Sequence, residues 1–155
     1  MMPPTYNANL QILQTAELAV IRHEMMHDVR MIYLDGRPHP PPSIQWLAGH
    51  SVGRFEGETL VVDTTGFNDQ TWFDRAGNFH SDALHVVERI TAMGPDHLNY
   101  EATVEDSKVF SRPWKMSMPL YRRKEKGARL LEFRCVEFVE ELMYGQFRKP
   151  GTRNP

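Results

Sequence analysis

Cysteine is nearly missing from this chain. Cys135 is the only one among 155 residues, which excludes an internal disulfide and a cysteine-rich zinc site. It lies in the apolar run LLEFRCVEF and reads as a plain buried thiol. An excess of charge of one sign is missing too. The formal net charge is −2, so nothing electrostatic favours nucleic acid or an anionic membrane as partner. No apolar run approaches the ~20 residues that a membrane helix needs. The opening MMPPTYNANL has no basic n-region and no apolar h-region, so no signal peptide is expected. Nucleophile elbow, phosphate loop and dinucleotide fingerprint are all lacking, and no cofactor is expected.

What is present is an ordinary globular composition, 41% hydrophobic and 25% charged. It predicts one domain over residues 1–155, with 1–9 and 148–155 as extended tails. Most of the chain consists of short apolar runs separated by turn signals, the spacing of an all-β protein. NLQILQT and LAVIRH flank Ala16-Glu17 as a first hairpin, and VRMIYLDG follows as a third strand. The proline-dense stretch 37–48 is a loop. HSVGRFEGETLVVDTTGF (50–67) is the clearest hairpin, and LHVVERITAM with LNYEATVED is the next. WKMSMPLYRR and ARLLEFRCVEF form the last, and VEELMYGQF suits one short helix. A run of neighbouring antiparallel partners predicts an antiparallel meander closing into a small, calycin- or lipocalin-like barrel. An open curved sheet or a sandwich is the rival.

Residues 23–27, HEMMH, spell H-E-x-x-H. In a zinc peptidase both histidines lie one helical turn apart and face the metal. Leu18, Ile21, Met25, Val29 and Ile32 do fall at helical spacing. A helix over 16–32 would, however, consume two strands and leave their neighbours unpartnered. In a strand His23 and His27 share a face about 13 Å apart, too far to share one ion. The strand reading is preferred.

Hairpin 50–67 can be put in register with Gly57-Glu58 as the turn. Glu56 then pairs with Thr59 and His50 with Thr65, which sets His50 diagonal to Asp63 with Arg54 on the same face. A histidine beside a carboxylate suits general-base work. For 84–104, a Pro95-Asp96 turn sets Val87 opposite Val104 and Arg89 opposite Ala102. His85, Arg89 and Tyr100 then point inward, where the charges need a partner such as Asp63 or Glu24. The loop 68–83 is long enough to be a lid or binding loop. It offers Trp72 over the barrel mouth and Asp74 and His80 to reach into it. A second loop offers His39 and Trp46. His39, His50, His80 and His85 together are a candidate metal set, although no recognised ligand spacing is present and the metal is left unassigned.

QTAELAVIRHEMMHDVRMIYLDGRPHP, GHSVGRFEGETLVVDTTGFND and HSDALHVVERI resemble a functionally uncharacterised family of bacterial proteins, many of them exported. Its members resemble GHSIGRWEGDTLVVDTTGFND and PHSEALHVVER, and the likeness runs from about Leu10 to Cys135. In that family the position of His23 is usually aromatic, whereas Glu24 and His27 match. The H-E-x-x-H spelling is then the product of one substitution. The chain departs from the pattern with Phe55 for Trp and Glu58 for Asp. The resemblance implies exported relatives with an upstream signal peptide. It implies no activity.

The leading expectation is an acid–base lyase, isomerase or hydrolase acting on a small organic or sugar-like substrate in a polar-lined pocket. His50 or His85 moves the proton, Asp63 or Glu24 orients it, and Arg54 or Arg89 holds substrate oxygens. Tyr100, Trp72, Asp74 and His80 complete the binding set. One alternative is a lipocalin-like carrier of a small ligand, and another is a histidine-ligated metalloenzyme. The partner expected is the ligand itself, with neither nucleic acid nor membrane; a homodimer is compatible with everything above.

Overall fold

The computed structural model describes residues 9–25, 28–74, 76–132, 143 and 145–147. It is all-β. The strands are β1 (Leu10–Gln14), β2 (Leu18–His23), β3 (Val29–Tyr33), β4 (His50–Glu56), β5 (Thr59–Thr65), β6 (His85–Gly94), β7 (His97–Glu105) and β8 (Trp114–Tyr121). They form one sheet in chain order, β1 to β8, which curls into a half-barrel. The expected meander is therefore present. Every pair is antiparallel except β3–β4, which is parallel over Ile32–Ser51 and Tyr33–Val52. The reason is the proline-rich connection after β3, long enough to carry the chain back to the same end before β4 begins.

Strand pairing wins over helical spacing at 16–32. Ala19 and Ile21 of β2 alternate into the core, and the His23 amide donates to the Asp28 carbonyl at 2.8 Å, closing a hairpin. His27, the second histidine of H-E-x-x-H, lies outside the described residues, as do Cys135 and most of the segment expected as a C-terminal helix. Of that segment a 3-10 turn at Gly145–Phe147 is described.

Hairpin β4–β5 has the expected register, from His50–Thr65 to Glu56–Thr59. Gly57 takes φ 60°, the left-handed conformation its turn requires. Hairpin β6–β7 departs from expectation. Gly94 pairs with His97 as predicted, but Met93 is bulged out, and beyond it Val86 faces Val104, Glu88 faces Ala102 and Ile90 faces Tyr100. A slip of one residue turns every side chain of β6 over. Val86, Glu88 and Ile90 are buried, and His85 and Arg89 point outward. Their expected inward placement is corrected by that bulge. The inward face of β7, with Leu98, Tyr100, Ala102 and Val104, is as expected.

The core lies on the concave side. Ala19, Ile21, Ile32, Leu60, Val62, Phe67, Leu84, Val86, Ile90, Ala102 and Val104 fill it. Among them sits a buried ion pair. Arg30 of β3 reaches Glu88 of β6 with both Nη atoms, Nη1 at 2.8 Å, and donates from Nε to Ser51 at 2.9 Å and from Nη2 to Thr64 at 2.6 Å. The Tyr100 hydroxyl donates to Glu88 at 2.9 Å. Burial and the Glu88 charge push the Tyr100 pKa up, so the phenol keeps its proton and stays a donor.

The expected final hairpin is not made by the described residues. Residues 128–132 are irregular. The Leu131 amide donates across the open side of the half-barrel to Glu24 at 2.8 Å instead of pairing with β8. Asn9 Nδ2 binds the same carboxylate at 3.2 Å. Glu24 is thus a clamp holding the chain beyond β8 against the end of β2, bound to Leu131 and Asn9 rather than to His50 or His85.

Candidate functional site: an outer histidine relay and an inner cavity

Alternation along β4, β5 and β6 sends His50, Asp63 and His85 to the convex face, where adjacent strands set them diagonally. The loop after β3 folds over this face and inserts His39 between them. His39 Nε2 lies 2.9 Å from Asp63 Oδ1, and His39 Nδ1 lies 3.1 Å from His50 Nδ1. His85 Nε2 lies 3.1 Å from Asp63 Oδ2, and His85 Nδ1 lies 3.5 Å from Glu105.

These contacts fix the tautomers. An ionised carboxylate only accepts, so His39 carries its proton on Nε2 and donates it to Asp63. With its one proton on Nε2, His39 accepts at Nδ1, and His50 donates from its own Nδ1. The Nε2 of His50 is left with a bare lone pair, and among the described residues no hydrogen bond engages it. Tyr33 stacks on the His50 ring with centroids 5.3 Å apart, and Trp46 lies 5.5 Å away. Arg37 sits over the Tyr33 ring at 3.8 Å. Partial burial first, then the proximity of His39 and Arg37, lower the His50 pKa, so the ring is neutral at neutral pH and free to accept a proton.

The concave side holds a second feature, a cavity of about 510 Å³. Its walls are mostly apolar, with Leu47, Phe67, Phe73, Leu84 and Val104 among them, and its floor is the Arg30–Glu88 pair with Tyr100. His23, Asp28, Thr71 and His80 are the other polar groups that face it.

The sequence-predicted residues divide between these places. His50, Asp63 and His85 meet, although outside the half-barrel and not in its lumen. Arg54 and Arg89 do not join them. Both bind Glu56 near the β4–β5 turn, Arg54 at 2.7 Å and Arg89 at 3.0 Å, on either side of Val61, their cross-strand neighbour. Tyr100 belongs to the buried ion-pair network. Trp72, 76% exposed, stands at the cavity rim. Asp74 turns back on its own loop, accepting from Ala76 and Asn78. His80 is held in the cavity wall by Thr71 at 2.7 Å and the Ser81 carbonyl at 3.0 Å, well apart from the other three histidines of the expected metal set. Among the described residues no three His, Cys, Asp or Glu side chains are arranged to hold a metal ion.

Sequence reasoning missed the insertion of His39, the cation at Arg37 and the whole Arg30–Glu88 network. A signal for Arg30 existed in VRMIY, where it shares an alternation with Ile32. Comparison with family models, curated proteins and solved structures yields no match.

Proposed function

We propose that this protein is an acid–base catalyst acting on a small organic or sugar-like substrate at the convex face, with His50 moving the proton. The observation that carries this reading is the hydrogen-bonded chain Asp63–His39–His50, which ends in an unengaged imidazole nitrogen. When Nε2 of His50 takes a proton from a substrate C–H or O–H, the Nδ1 proton passes to His39. The positive charge then rests on His39, against Asp63. Asp63 here plays the part of the carboxylate that fixes a catalytic imidazole and stabilises its cation. Trp46 offers a flat face to a ring beside His50, while Tyr33 is stacked on His50 and Arg37 is held by Asp35 through Nε at 2.9 Å, so these two shape the pocket edge rather than bind the substrate. This set suits a lyase, isomerase or hydrolase whose first step is proton abstraction.

Proton abstraction from 5-nitrobenzisoxazole, a generic probe of enzymic bases, tests the reading without the natural substrate. His50→Ala should lower the rate by about 10²-fold or more. His97→Ala, on the far β6–β7 turn, should leave it alone. A wild-type rate no higher than that of equimolar imidazole, or one indifferent to His50→Ala, defeats the reading.

A further inference from the structure

We propose that the concave cavity is a separate binding site for an uncharged aromatic or alicyclic alcohol, which sets its hydroxyl against His23. Size and lining come first. About 510 Å³ of mostly apolar wall is the format of a small-molecule site. The class of ligand follows from the polar groups, taken one at a time. Arg30 spends its guanidinium on Glu88, Ser51 and Thr64, so the floor has no cation left for an anionic ligand. The carboxylates of Glu88 and Asp28 would repel one. His80 is satisfied at both ring nitrogens by Thr71 and Ser81.

His23 differs from all of these. It follows Ala19 and Ile21 on the inward face of β2 and lines the cavity, yet among the described residues its ring makes no hydrogen bond. Burial, acting ahead of the nearby charges, lowers its pKa and keeps the ring neutral. A neutral imidazole that makes no hydrogen bond holds both an idle lone pair and an idle N–H, and a hydroxyl can donate to the first or accept from the second; an apolar chamber asks for a hydrocarbon body. A hydroxyl on a ring system supplies both. An apolar ligand without a donor would leave the imidazole dry and unpaired, which is costly. At the rim, exposed Trp72 gains cover from a seated ligand.

Isothermal titration of the full chain with 1-naphthol, naphthalene and 1-naphthoate separates the cases. 1-Naphthol should bind at least ~10-fold more tightly than the other two, the worth of one buried hydrogen bond. His23→Phe keeps a ring there and removes both imidazole nitrogens, so naphthol should fall to the affinity of naphthalene. Ala102→Leu, which crowds the cavity, should weaken both while leaving proton abstraction at His50 unchanged. If that variant misfolds, Val104→Ile repeats the test with one added methylene. Naphthoate binding as well as naphthol, naphthol binding untouched by His23→Phe, or no binding of any probe overturns the proposal. None of these outcomes bears on the His50 relay.

Discussion

At His50 two neighbours set how readily the ring gives up its proton. Arg37 and His39 both disfavour a positive imidazole, and partial burial acts in the same direction. A general base works unprotonated, so the probe rate should be full above the His50 pKa and fade as pH falls through it. The midpoint should lie below the ordinary histidine value of about 6.5. Arg37→Leu should move that midpoint upward; a profile that does not shift would show that Arg37 is not felt at the ring. Asp63→Asn keeps the shape but lets the amide donate to His39, which reverses its tautomer and removes the acceptor for His50. The rate should fall by about 10²-fold, and 15N chemical shifts should show His50 losing its Nδ1 proton. Gly49, just before this strand, is equally constrained. It has φ 69°, and a Cβ there would lie 2.7 Å from the Phe67 ring and 2.8 Å from the Thr65 carbonyl. Gly49→Ala should cost about 3 kcal/mol in denaturant unfolding, the upper end for a group forced into a packed site.

At the scale of the element, β6 shows what one bulged residue decides. The apolar count of LHVVERITAM does not say which face is inward, because Val87 competes with Val86 and Arg89 with Glu88. The turn predicted the last pair correctly. The bulge at Met93 then inverted the rest. Met93 is exposed, and removing it would join Ala92 to Gly94 without changing which residues of β6 face inward. Its deletion should therefore change stability by no more than the ~0.5 kcal/mol of a surface substitution. The buried side of β6 is far less tolerant. Arg30→Met leaves the buried Glu88 carboxylate without its counter-ion and should cost about 3–5 kcal/mol, whereas Arg30→Met with Glu88→Leu should recover most of that loss. Urea unfolding of the two variants measures the difference. Equal losses would mean that the ion pair does not act as a unit.

For the whole molecule, the open side of the half-barrel is held by Glu24. The Leu131 amide first, then Asn9, lower the Glu24 pKa by hydrogen bonding its ionised form. A depressed carboxylate stabilises the fold above its unfolded pKa, and that contribution disappears as pH falls through the folded value. Well below the ordinary carboxylate range of about 4 the segment near Leu131 should release, seen as a loss of protection of the Leu131 amide relative to its intrinsic exchange rate at that pH, while the β5–β7 amides stay protected. Glu24→Ala should produce the same release at neutral pH. If Leu131 keeps one degree of protection from neutral pH to well below that range, the clamp does not govern closure.

The sequence alone determined the strands β1 to β8, their order and the β4–β5 register, but not the pairing of residues 128–132, because alternation and turn chemistry act over a few residues. It therefore brought His50 and Asp63 together. Only the tertiary structure decided which side of the sheet they occupy, that a loop would insert His39 between them, and that Arg30 and Glu88, 58 positions apart, would meet in the core. Those outcomes depend on curvature, a bulge and the path of a proline-rich loop. Each is settled by packing between segments distant in the chain, and no local pattern records that packing.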